Sequence, residues 1–114
     1  MMEQALRAAG FARVETVDGV ICARSTAVLP EFTATRMGAG WQLSFAWPLR
    51  ASPAQCAEWT AAHPIAPMDI HHGETRITLL ASPETLPLWR DLMDAMVSNC
   101  TAWRRATRQR DEGM

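Results

Sequence analysis

The sequence contains no lysine and no tyrosine, and asparagine occurs in it only once. All eleven basic residues are therefore arginine. Without lysine the chain has neither a Schiff-base amine nor the lysine that a phosphate-binding P-loop requires. Because alanine is abundant as well, we interpret the missing lysine as a bias in base composition and assign no function to it.

Long apolar runs are also missing: none approaches the roughly 20 residues that cross a bilayer. The first four residues include Glu3 and lack the basic-then-apolar order of a signal peptide. Hydrophobic residues make up 48% of the 114 residues and charged residues 20%, a balance that excludes a disordered chain. We expect one cytoplasmic domain, spanning residues 1–114, that does not contact a membrane.

The three cysteines, Cys22, Cys56 and Cys100, are odd in number and lie far apart, with no CxxC pair. In a cytoplasmic chain this pattern is typical of buried thiols that behave as small hydrophobes. His71 and His72 are adjacent in a predicted strand, so they should point to opposite faces. A zinc site needs three or four converging ligands, and we therefore predict no metal.

Signatures of catalysis are absent. No serine lies in a GxSxG setting, and no glycine-rich loop precedes a predicted helix. The glycines at 38 and 40 lie between two predicted strands, which indicates a turn and not a phosphate cradle. We expect a non-enzymatic protein without a cofactor.

Charge is unevenly distributed although the net charge is only −1. Residues 101–114 carry four arginines, Arg104, Arg105, Arg108 and Arg110, against two acids. Cations at the carboxyl end of a helix are favoured by its dipole. A nucleic-acid-binding domain usually shows a basic face and a higher isoelectric point, so we expect no nucleic-acid partner.

Local patterns predict the element order α-ββββ-α-ββ-α. A short helix over 2–9 ends at Gly10, and Asp18-Gly19 forms a two-residue hairpin turn. A strand over 41–49 alternates large apolar and small residues, and Ser52-Pro53 begins a capped helix. Strands over 68–72 and 75–81 precede a long helix from Leu86. This order predicts an α+β fold: an antiparallel sheet of five to six strands with helices packed on one face.

The final helix carries an apolar stripe with alternating steps of three and four, through Leu86, Trp89, Met93, Met96, Cys100, Trp103 and Thr107. Packing on the sheet is one use of this stripe, and pairing in a dimer is the other. Its last turns should project beyond the sheet and contact a partner. Trp59, on a short helix rich in alanine, is a second candidate anchor, because aromatic residues are enriched at interface centres. The predicted partner-binding residues are Trp59, Met96, Cys100 and Trp103.

The predicted polar face of the sheet offers an alternative site. Arg13 and Arg24 share this face in the first hairpin, and His71 is expected opposite Arg76, near Asp69, in the last one. This alternative predicts a small regulatory or ligand-binding domain that uses Arg13, Arg24, His71 and Arg76.

Nearly the whole chain resembles the YbjN family and the related type III secretion chaperone-like fold. The resemblance lies in the first helix ending at Gly10-Phe11, the Asp18-Gly19 hairpin, the strand from Trp41 to Trp47, the short helix around Cys56-Ala57-Glu58-Trp59, the 68–81 hairpin and the long helix. It implies a small dimeric binding protein without a cofactor. We therefore expect a chaperone-like or regulatory module, with a protein client or a second copy of itself as partner.

Overall fold

The computed structural model describes residues 2–112, without the side chains of Pro83 and of residues 109–112. Its order confirms the predicted α-ββββ-α-ββ-α arrangement, and a 3-10 turn at Pro83–Thr85 leads into the last helix. The elements are α1 (Met2–Ala8), β1 (Ala12–Val17), β2 (Val20–Arg24), β3 (Phe32–Met37), β4 (Gly40–Trp47), α2 (Pro53–Ala62), β5 (Met68–His71), β6 (Glu74–Ala81) and α3 (Leu86–Glu112).

The six strands form one antiparallel sheet in the order β1-β2-β3-β4-β6-β5. Hairpins join successive strands except β4 and β5, which are connected through α2. The chain thereby leaves the position beside β4 empty for β6. β5 therefore becomes an edge strand, and β6 returns between it and β4. The predicted α+β fold, with helices packed on one face of an antiparallel sheet, is confirmed.

The core lies between the sheet and α3. Five stripe residues of α3 are at most 1% exposed: Leu86, Trp89, Met93, Met96 and Cys100. They share one cluster with the inward side chains of the central strands, Phe32, Leu43, Phe45 and Ile77. Burial of each large apolar side chain stabilises the fold by about 1.5–3 kcal/mol. The stripe ends earlier than predicted, because Trp103 is half-buried and Thr107 is exposed.

Two hairpins turn through residues with positive φ. Asp18 (φ 52°) and Gly19 (φ 81°) form the predicted turn, whose left-handed conformations match the twist of the strands. His72 (φ 51°) and Gly73 (φ 79°) form the second turn, one residue earlier than the predicted Gly73-Glu74. In the resulting register Asp69 pairs with Arg76.

The predicted register of the first hairpin is wrong near its open end. Arg13 has a φ of 53°, and a bulge lies between Ala12 and Glu15. Ala12 consequently pairs with Arg24 and lies on the side of the sheet opposite to the core, whereas strict alternation from the Asp18-Gly19 turn would pair Arg13 with Arg24 and put Ala12 on the core side. Since Arg13 lies within the bulge, strict alternation no longer sets its face.

A buried threonine holds the link between β4 and α2. The Thr75 hydroxyl donates to the Leu49 carbonyl and accepts from the Ala51 amide at 2.9 Å. The Thr75 amide donates to the same Leu49 carbonyl at 3.0 Å. The backbone on both sides of Arg50 is thereby fixed to β6.

Candidate functional site

The sheet face opposite the helices, here called the open face, is lined by short and mostly polar side chains. Eight half-buried residues form its centre: Cys22, Thr33, Thr35, Gln42, Ser44, Ala46, Arg76 and Thr78. Threonine and serine suit a pleated, partly solvated surface, and antiparallel sheets commonly leave one face to water.

One corner of the open face departs from this polarity. The apolar corner consists of Met37, Ile65 and Leu80, which are 51%, 55% and 73% exposed. A cleft of about 500 Å³ lies there, lined also by Gln42, Pro67, Thr78 and Leu79. Contiguous exposed apolar surface of this kind is typical of interaction sites.

Each member of the apolar corner is positioned by a different segment. Leu80 pairs with Gln42 across β6 and β4, and Met37 ends β3. Ile65 follows α2 in a loop whose next residue, Ala66, accepts a hydrogen bond from the buried Trp59 Nε1 at 2.8 Å. This hydrogen bond fixes the loop to the core, so the backbone that carries the exposed Ile65 side chain is held in place.

Three of the four predicted partner-binding residues do not lie at the surface, which corrects that prediction. Trp59 is 2% exposed, and Met96 and Cys100 are fully buried. Their side chains fill the space between α3, α2 and the sheet, so they support the fold. Trp103 is half-buried and lines a surface cleft, and it alone of the four can contact a ligand or partner in this conformation.

The three arginines and one histidine of the alternative site are not brought together. Arg13 and Arg24 lie on β1 and β2, and His71 and Arg76 lie on β5 and β6, at the other edge of the sheet. With neighbouring strands about 4.8 Å apart, Arg24 and Arg76 are separated by three spacings, about 14 Å. The structure therefore spreads these residues across the sheet, and a ligand site that uses them stays a prediction.

Their local partners also differ from the prediction. Arg76, and not His71, is opposite Asp69, and its Nη2 and Nε atoms lie 2.8 and 3.1 Å from the two carboxylate oxygens. His71 pairs with Glu74. The rings of His71 and His72 do not point to opposite faces but contact each other, with centroids 4.1 Å apart, because His72 lies in the turn. Among the side chains that the structure describes, no group of three histidine, cysteine or acidic residues is placed to hold a metal.

A second cleft, here called the basic cleft, lies between α3 and the β4–α2 link. Its volume is about 320 Å³, and it is lined by Leu49, Arg50, Gln55, Trp103, Arg104, Thr107 and Arg108. It contains two arginines of the predicted carboxyl-terminal cluster together with one from a distant segment. Arg105 does not line it, and the side chain of Arg110 lies outside the described residues.

The cysteines do not form a nucleophilic site. Burial raises the pKa of Cys100 to about 11, and it also raises the pKa of Cys22 and Cys56. Because the thiolate is the reactive form, these thiols are weak nucleophiles at neutral pH. Cys56 and Cys100 are buried as predicted, whereas Cys22 is half-buried on the open face.

Comparison with family models, curated proteins and solved structures found no match to this chain. No helix in the described part of the chain combines the length and apolarity needed to cross a bilayer.

Sequence reasoning missed both clefts. Alternation contained a signal for the first, because Met37 and Leu80 occupy positions that are otherwise polar in β3 and β6. The second unites Arg50 with Arg104 and Arg108, and nothing in their spacing indicates that these residues meet.

Proposed function

We propose that this chain is a non-enzymatic protein-binding module, chaperone-like or regulatory, that acts as a homodimer through the apolar corner. The observation that carries the proposal is the clustering of Met37, Ile65 and Leu80 around one cleft on a mostly polar sheet face. Large apolar side chains scattered singly need no explanation, but a group around a concavity does.

A second copy of the chain fits this surface on general grounds. Most soluble oligomers are twofold dimers in which one patch meets itself. The open face has short side chains, so two such faces can approach to about 10 Å, the spacing of packed sheets. Three free cysteines support the accompanying proposal of a cytoplasmic location, because cytosolic thiols stay reduced.

Pairing through strand edges is disfavoured. The β1 edge is bulged at Arg13, and Arg7 donates a hydrogen bond to the Val14 carbonyl at 3.2 Å. The other edge strand, β5, is only four residues long. Bulges and short edge strands are features that prevent strand addition, which leaves the open face as the favoured surface. Membership of the YbjN-like or type III secretion chaperone-like group stays a prediction.

The test is the molar mass of Leu80→Asp measured by light scattering during size-exclusion chromatography. A carboxylate in place of Leu80 removes apolar contact and must be desolvated at the interface, so dimer affinity should fall at least about 100-fold, close to 2.7 kcal/mol. Val28→Asp is the matched control, because Val28 is 87% exposed in a loop outside the apolar corner. Equal masses for the two variants would contradict the proposed interface.

A further inference from the structure

We propose that the basic cleft binds a small organic phosphate, a ligand with one or more phosphate groups and a flat or apolar part. This inference is independent of the proposed dimer, because the basic cleft and the apolar corner share no lining residue.

The charge of the basic cleft comes from two directions. Arg104 and Arg108 lie one turn apart on α3, with about 5–6 Å between Cβ atoms, and Arg50 approaches from the β4–α2 link. No acidic residue is among the described lining residues, and none of the three arginines forms an ion pair with a described residue. Like charges gathered in this way repel one another unless an anion lies between them.

A favourable interaction with the dipole of α3 explains less of this arrangement than an anion-binding role does. It accounts for arginines in the last turns of α3, but not for Arg50, which belongs to another element. The backbone around Arg50 is held by the contacts of Thr75 with Leu49 and Ala51, so this charge is presented from a fixed segment. A preorganised group loses less freedom when a ligand binds.

The lining favours a phosphate ester over a simple anion. Guanidinium groups match the oxygens of phosphate through paired hydrogen bonds, and three such groups suit a multiply charged ligand. The oxygen of the Gln55 amide already accepts from the Ser52 amide at 2.8 Å, which leaves its NH2 group as a donor for an anion. Leu49 and Trp103 supply an apolar wall for the organic part of the ligand.

The size of the cleft favours a small molecule over a nucleic acid. Its volume of about 320 Å³ is at the lower end of the range typical of small-ligand sites. The chain as a whole has a net charge of −1, whereas a domain that binds a long phosphate backbone usually has an extended basic face and a higher isoelectric point.

The experiment is calorimetric titration of the full chain with adenosine monophosphate and with phenyl phosphate. We expect at least one of them to bind with a sub-millimolar dissociation constant, at least tenfold more tightly than adenosine, inorganic phosphate or succinate. Absence of binding by both probes would overturn the proposal, and so would equal binding of succinate. Tighter binding of a twelve-nucleotide single strand, with a steep salt dependence, would overturn it in favour of a nucleic-acid site.

Variants locate the site. Arg108→Ala and Arg50→Ala, on two different elements, should each weaken binding at least tenfold. Arg105→Ala is the matched control, because Arg105 is an exposed arginine of the same helix that does not line the cleft, and it should change affinity less than twofold. An equal loss of affinity in Arg105→Ala would contradict the proposed site, because binding would then depend only on the general positive charge of the helix end. All three side chains are exposed, and thermal unfolding of each variant checks that the fold is retained.

Discussion

Replacing Thr75 with valine tests how the β4–α2 link is held to the sheet. The substitution keeps the side-chain shape and removes the hydroxyl, so no cavity forms. The Ala51 amide, in a residue that is 3% exposed, then loses its acceptor at 2.9 Å. The Leu49 carbonyl still accepts a hydrogen bond from the Thr75 amide at 3.0 Å, so only one buried group is left unpaired.

An unpaired buried donor costs about 1–3 kcal/mol, and the extra apolar burial of valine offsets part of this, up to about 0.8 kcal/mol. We therefore expect Thr75→Val to lower the free energy of unfolding by about 1–2 kcal/mol. Urea unfolding measures it, with an unchanged m-value showing that the same surface is exposed.

Thr33→Val is the matched control for this experiment. Thr33 is half-buried on the open face and lines neither the apolar corner nor the basic cleft, and its side chain has no hydrogen-bond partner among the described residues. Its replacement should change the free energy of unfolding by less than about 0.5 kcal/mol. If the two variants unfold at the same urea concentration, the account of the link is wrong.

Three further variants test the core and a turn. Burial raises the pKa of Cys100 from 9.0 to about 11, so the unfolded chain loses this proton at a lower pH than the folded chain, and the free energy of unfolding should fall by roughly 2–3 kcal/mol between about pH 9 and pH 11. Urea unfolding of Cys100→Ala across that range should show a smaller decline. An equal decline would contradict the assignment to Cys100. Trp59→Phe removes the hydrogen bond to Ala66 together with buried ring atoms, so it should destabilise the chain by about 2 kcal/mol, and an unchanged urea midpoint would contradict its core role. Gly73→Ala adds a side chain at a residue whose φ is 79°, with no other atom within 4 Å of the new Cβ, so backbone strain alone should lower the free energy of unfolding by about 1–2 kcal/mol. Gly40 also has no atom within 4 Å but does not have a positive φ. Thermal unfolding should therefore show a loss of stability for Gly73→Ala and none for Gly40→Ala.

Elements with strong local signals could be predicted from the sequence. The Asp18-Gly19 turn and the Ser52–Gln55 capping box depend on neighbouring residues, and their chemistry determines the local backbone. The α3 stripe likewise repeats with the helical period, so its burial follows from spacing.

Features that depend on distant residues could not be predicted. The bulge at Arg13 has no glycine to mark it, and the burial of Trp59 depends on the loop that carries Ala66. Both clefts are formed by segments that only the folded sheet and α3 bring together. The helical period predicts that Met96 and Cys100 lie on the apolar stripe, but how much of that stripe the sheet covers depends on the packed structure.

Sedimentation velocity of the unmodified chain over a hundredfold range of micromolar concentrations tests the central claim most directly. Pairing through the apolar corner predicts a reversible dimer of about 25 kDa, twice the chain mass of 12.6 kDa, whose fraction rises with concentration. A single species of 12.6 kDa throughout that range would contradict the homodimer.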